Sequence, residues 1–113
     1  MISEPPVPLW PDPDALGTVT DLYQLTMMAG YSALGKDRQR ATFELFVRRL
    51  PRDRAYLVFA GLEQAIADLL HLAFSPEQID TLRGWPTFSK TDPRFFDRLE
   101  GLRFTGDVWA VPE

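Results

Sequence analysis

No cysteine occurs among the 113 residues, and histidine occurs once, as His71. Disulfides, thiolate chemistry and cysteine zinc sites are thereby excluded, and so is a multi-histidine metal centre. Basic charge is also in short supply. Twelve Lys and Arg against sixteen Asp and Glu leave a net charge of −4, so the composition carries no footprint for nucleic acid or an anionic membrane. No apolar run approaches the ~20 residues of a membrane span. The start of the chain lacks the basic-then-apolar pattern of a secretory signal, and a cytoplasmic location is the expectation. What is present is ordinary globular material, 45% hydrophobic and 25% charged, enough for one domain with a modest core.

Residues 1–15 read as a proline-rich extended lead, with five prolines from Pro5 to Pro13 and Trp10 as the one anchor. Proline fixes φ and removes an amide donor, so such a lead does not pack as an element. Residues 16–113 form the domain. Its first helix starts near Thr20 or Asp21, where Asp21 and Gln24 have capping-box spacing. Leu22, Leu25, Ala29 and Ala33 form one apolar stripe, and Tyr23, Met27, Gly30 and Leu34 form another. The helix is therefore expected to be buried on more than one side. Gly35 is placed to close it in a left-handed cap.

In residues 41–50, Phe43, Leu45 and Val47 alternate with Thr42, Glu44, Phe46 and Arg48, which predicts a strand of period two ending at Pro51. The run from Ala55 to Leu62 predicts a second, buried strand. A helix follows with Leu62, Ala65, Ile66, Leu69 and Ala73 on one face. Ser75-Pro76-Glu77-Gln78 is a helix start with cap, first-position proline and a glutamine three after the serine. Asp92 or Thr91 as cap, with Pro93 first, repeats that grammar, and Gly84 and Gly101 mark the stops. Residues 107–113 predict a last strand. The order helix, strand, strand, helix, helix, helix, strand gives an α+β fold, a small mixed or antiparallel sheet with helices packed on it.

Chemistry-bearing motifs are few. Gly35-Lys36 lacks the rest of a phosphate loop and reads as a helix stop. His71 lies opposite the apolar face of its helix, where a general base finds neither partner nor cleft. Asp12, Asp14, Glu63 and Asp68 show no paired spacing. Arg48 and Arg49, followed by Arg52 and Arg54, are the basic cluster that stands out. Arginine forks match phosphate geometry, but adjacent strand residues point to opposite faces, so only one of the pair could enter a given cleft. A basic turn that keeps a sheet edge soluble is the plainer reading.

The ordered set "TDLYQLTMMAGY", "FELFVRRLP", "YLVFAGLEQAIADL" and "TDPRFFDRLEGLRFTGDVWAVPE" resembles the start of nicotinate phosphoribosyltransferase, over about Leu16 to Glu113. The resemblance implies an enzyme that joins nicotinate to 5-phosphoribosyl 1-diphosphate, giving nicotinate mononucleotide and diphosphate for NAD synthesis. ATP is implied as a co-substrate, and Mg2+ as a companion of the phosphoribosyl diphosphate. It also implies a homodimer in which an N-terminal α+β domain precedes an incomplete α/β barrel.

Within that family the catalytic histidine, an arginine and the diphosphate loop belong to the barrel. No catalytic residue and no metal ligand is therefore assigned here, and the chain is expected to be a fragment, inactive alone. Tyr23 matches the family's tyrosine that stacks on the pyridine ring, and Asp21 matches the neighbouring acidic position, with helix capping as its plainer role. Arg48 or Arg49 matches the place where related enzymes bring an arginine to the substrate phosphate. A non-catalytic binding or dimerisation module derived from the enzyme is the alternative.

Overall fold

The computed structural model describes residues 11–113. Trp10 and most of the proline-rich lead lie outside the described residues. The end of that lead is not extended: Pro13–Thr18 forms a 3-10 turn in which the Asp12 side chain accepts a hydrogen bond from the Asp14 amide at 2.9 Å. Four α-helices follow: α1 (Leu22–Ala33), α2 (Leu62–His71), α3 (Pro76–Arg83) and α4 (Pro93–Glu100), with a 3-10 turn at Pro86–Phe88 before α4.

The short helices owe their ends to the residues that cap them. At α3, Ser75 accepts from the Gln78 amide while the Gln78 side chain accepts from the Ser75 amide, a complete capping box with Pro76 first in the helix. At α4, Asp92 accepts from the Arg94 amide at 2.9 Å ahead of Pro93. These bonds satisfy amides that the first turn otherwise leaves open. Gly35, with φ of 67°, takes the left-handed position after α1.

The core gathers where α1, α3 and α4 meet. It comprises Leu25, Phe74, Ile79, Leu82, Phe88, Phe95, Phe96 and Leu99, with Met28, Ala29 and Leu102 packed against it. The rings of Phe88, Phe95 and Phe96 lie 5.5–6.2 Å apart between centroids, within the range of favourable aromatic pairs. Burial of α1 is one-sided. Leu25 is buried, whereas Leu22, Tyr23, Met27 and Tyr31 stay exposed.

The expected sheet is not present: among the described residues there is no strand, and the α+β assignment is corrected to an all-helical fold. Residues 41–60 are exposed throughout, as are residues 103–113. Phe43, Leu45 and Trp109 are 91%, 98% and 95% exposed. Alternation of apolar residues is a local property, but a strand exists only when its amides and carbonyls find a neighbouring ladder. No segment of the described chain provides that ladder for residues 41–50, 55–60 or 107–112.

Gly17 marks a close approach between the first turn and the segment before α3. A Cβ added there would stand 2.6 Å from the Ala73 carbonyl oxygen and 2.8 Å from Phe74 Cδ1. Gly17→Ala should cost about 1–3 kcal/mol by overpacking. Gly30→Ala should act oppositely, because a Cβ there meets nothing within 4 Å and the helix interior favours alanine by ~1 kcal/mol. Urea midpoints that move in opposite directions, at an unchanged m-value, are the expected result.

Candidate functional site

Tyr23 occupies the first turn of α1, and its carbonyl accepts a hydrogen bond from the Thr26 hydroxyl at 2.9 Å. The residue is 59% exposed. A tyrosine held by a helix backbone yet left open at the ring offers a flat apolar surface without being needed for the core. Met27 and Tyr31, one and two turns further on, extend the exposed apolar face of the helix.

Asp21 stands at the N-cap of α1 with an extended backbone (φ −77°, ψ 147°), but its side chain makes no capping hydrogen bond. The expected capping box is therefore not formed. The Thr20 hydroxyl instead donates to the Gln24 side-chain oxygen, and the Gln24 amide bonds to the Asp21 carbonyl at 3.0 Å. The Asp21 carboxylate is exposed at the positive end of the helix, where a negative charge is favoured.

Arg48 and Arg49 are both exposed, at a bend rather than in a strand. The alternation that would send only one of them to a given face does not operate there. The following turn is closed by the Arg54 amide on the Pro51 carbonyl at 3.2 Å, with Asp53 at φ of 65°. Among the described residues neither arginine enters a salt bridge.

Among the described residues, none of Asp21, Tyr23, Arg48 or Arg49 lines either of two shallow clefts. The first, about 330 Å³, lies between the end of α1 and the start of α4, with Ser32, Asp37, Asp92, Arg94 and Arg98 on its walls. Its arginines are already matched with acids: Arg94 to Asp92 at 2.7 Å and Arg98 to Asp37 at 2.7 Å. Hydrogen bonds from Arg94 hold the Asp92 carboxyl below its ordinary range. Whatever that pair contributes is present above the usual carboxylate pKa and is lost as pH falls through the depressed value. A cleft with its cations so engaged is a poor anion receptor.

The second cleft, more open, lies at the start of α2 beside Gly61, Glu63, Gln64, Ala67 and Glu113. There the Glu113 carboxylate accepts from the Leu62 amide at 2.6 Å. Sequence reasoning missed this cap, which joins residues 51 positions apart. The signal that could have flagged it is Gly61, an N-cap residue with no side chain to offer. His71 bonds through Nδ1 to the Ala67 carbonyl of its own helix at 2.7 Å and joins neither cleft.

Residues 18–113 match the family model described as the nicotinate phosphoribosyltransferase (NAPRTase) N-terminal domain. The chain is 43% identical over 94 residues to "Nicotinate phosphoribosyltransferase pncB2" of Mycobacterium tuberculosis, covering 83% of this chain and 19% of that protein. It is 37% identical over 107 residues to the nicotinate phosphoribosyltransferase of Homo sapiens, covering 90% of this chain and 20% of the relative. With "Nicotinate phosphoribosyltransferase 2" of Arabidopsis thaliana it shares 35% identity over 96 residues, 84% of this chain and 17% of the relative. The chain thus spans about a fifth of the length of these relatives. No solved structure gives a significant match. Among the described residues no helix is long and apolar enough to cross a membrane.

Proposed function

Since the chain belongs to the nicotinate phosphoribosyltransferase family, carrying its N-terminal domain over residues 18–113, we propose that it contributes a nicotinate-lining surface to a phosphoribosyl-transfer site completed by other polypeptide. The observation that carries this reading is the family match together with Tyr23, a residue 59% exposed on the first turn of α1. The reaction joins nicotinate to 5-phosphoribosyl 1-diphosphate. The ring nitrogen's electron pair forms the bond to the ribose anomeric carbon while the bond from that carbon to the diphosphate oxygen breaks. Diphosphate leaves with the bonding electrons, and nicotinate mononucleotide remains.

Tyr23 is assigned to stack on the pyridine ring. A planar aromatic partner positions the ring and contributes ~0.5–1.5 kcal/mol beyond area burial, while a fixed orientation brings the nitrogen to its target. Asp21, free of a capping bond, is assigned to the same end of α1. Arg48 or Arg49 is assigned to the phosphate of the phosphoribosyl substrate. In the full-length enzyme the product enters NAD synthesis, ATP is hydrolysed with the transfer, and the enzyme is a cytoplasmic homodimer.

Among the described residues no group of three or more His, Asp or Glu could hold a metal ion, and Gly35-Lys36 is a helix stop without the remainder of a phosphate loop. No step is therefore assigned to Mg2+ or ATP on this chain. Developing charge on the departing diphosphate requires positioned donors, which the acid-paired Arg94 and Arg98 do not offer.

The purified 113-residue chain, given nicotinate, 5-phosphoribosyl 1-diphosphate, ATP and Mg2+, should form no nicotinate mononucleotide above a no-protein control. Product rising in proportion to the chain would contradict the division of labour proposed here.

A further inference from the structure

The apolar grip of α1 on the core is confined to part of the helix. Leu25, Met28 and Ala29 reach the core. Further along, Ser32 and Ala33 of α1 and Phe95 and Arg98 of α4 border the cleft of about 330 Å³. Side chains that small leave a gap, so close packing does not fix the angle between the two helices at that end.

An ion pair spans that end instead. α1 closes in a Schellman turn, with the Gly35 amide on the Ser32 carbonyl at 3.1 Å and the Lys36 amide on the Tyr31 carbonyl at 2.8 Å. The turn fixes the next residue, Asp37, relative to the helix. Asp37 Oδ2 stands 2.7 Å from Nε of Arg98, in the last turn of α4. A cation there also suits the negative end of α4. The arginine and the carboxylate are each more covered than their counterparts in the Arg94–Asp92 pair, so solvent screens them less. Among the described residues this is the one ion pair that joins residues far apart in the chain.

We propose, on the reading of Tyr23 as the pyridine-stacking residue, that Asp37 and Arg98 are positioning residues for it. The pair sets the tilt of α1 on α4, and the tilt sets where the Tyr23 ring stands. Tyr23 lies five residues before Met28, about 7.5 Å along the axis, so a tilt of roughly 10° about Met28 moves it by about 1.3 Å. Displacements of that size at a substrate-orienting group are costly. Tyr23 does not border the cleft, so the pair acts through the helix and not by contact.

Two measurements test this. The chain has no cysteine, so nitroxide labels can be placed by Met27→Cys on α1 and Asp80→Cys on α3, both exposed positions. The distribution of distances between the labels in the 113-residue chain should broaden or shift in Asp37→Ala and in Arg98→Gln, with helical circular dichroism kept. In an active enzyme where residues 18–113 replace the matching segment of the Mycobacterium tuberculosis relative, each variant should raise the nicotinate KM about three- to tenfold. The KM for 5-phosphoribosyl 1-diphosphate should move little. The double variant should do no more than either single one, because the two side chains act as a unit. Unchanged label distances in the folded single variants, an unchanged nicotinate KM, or single effects that multiply in the double variant would each overturn the proposal. Tyr23→Ala in the same enzyme separates the two readings. A nicotinate KM raised by Tyr23→Ala and not by Asp37→Ala overturns the positioning pair alone; one unmoved by Tyr23→Ala overturns the stacking assignment and the positioning pair with it.

Discussion

Phe96→Ala should cost the chain about 3–5 kcal/mol of stability. The residue is 3% exposed. It meets Phe95 at a centroid distance of 5.5 Å and Phe88 edge-on at 6.2 Å, and the Arg83 guanidinium sits 5.0 Å over it. Truncation therefore removes its own burial, two aromatic contacts and a cation–π contact, and leaves a cavity between α3 and α4 that short capped helices cannot easily close. A chain of this length holds on the order of 6–17 kcal/mol in all, and only nine apolar side chains are buried among the described residues, so its reserve belongs at the low end. The melting midpoint followed by helical circular dichroism should fall by more than about 12 °C. Leu45→Ala is the control, since Leu45 is 98% exposed and should stay within about 0.5 kcal/mol of the parent. A Phe96→Ala midpoint within about 3 °C of the parent would show that the aromatic cluster does not hold the helices together.

The features legible in the sequence are those decided by a few neighbouring residues. Ser75-Pro76 with Gln78, Asp92-Pro93, Gly35, Gly84 and Gly101 each announce a helix end because the bonds or conformation concerned span four residues or fewer. The expected strands are a different case, since none forms among the described residues. Phe43, Leu45 and Val47 alternate correctly, yet alternation says only which side a residue would face once a ladder exists. Asp21 shows a similar limit, for the spacing to Gln24 is right but the Gln24 side chain accepts from Thr20 instead. On α1 the sequence shows two apolar stripes, and packing decides between them: Leu25 turns inward with Met28 and Ala29, and Tyr23 stays out. The link from Glu113 to Leu62 depends on the course of the chain in space. For the candidate site, residue types were readable from the resemblance to the family. Exposure at Tyr23 and the bend at Arg48 and Arg49 were not, because both follow from what lies beside them.

Tyr23→Ala should raise the KM for nicotinate by roughly ten- to a hundredfold, or ~1–3 kcal/mol, in an enzyme that carries this domain with the remainder of the fold. Such an enzyme is obtained by grafting residues 18–113 in place of the matching segment of the Mycobacterium tuberculosis relative, 43% identical over 94 residues. Tyr23 is 59% exposed, so removal of its ring should not unfold the domain as loss of a buried tyrosine would. Stacking needs the ring rather than the hydroxyl, and Tyr23→Phe should keep most of the affinity. On this assignment the phosphoribosyl substrate stays clear of the ring, and its KM should move little. The decisive measurement is the nicotinate KM of the graft and its Tyr23→Phe and Tyr23→Ala variants, normalised to folded protein. A rise confined to nicotinate and to the alanine variant is the predicted result; an unchanged nicotinate KM in well-folded, active Tyr23→Ala enzyme would contradict the assignment of Tyr23 to the pyridine ring.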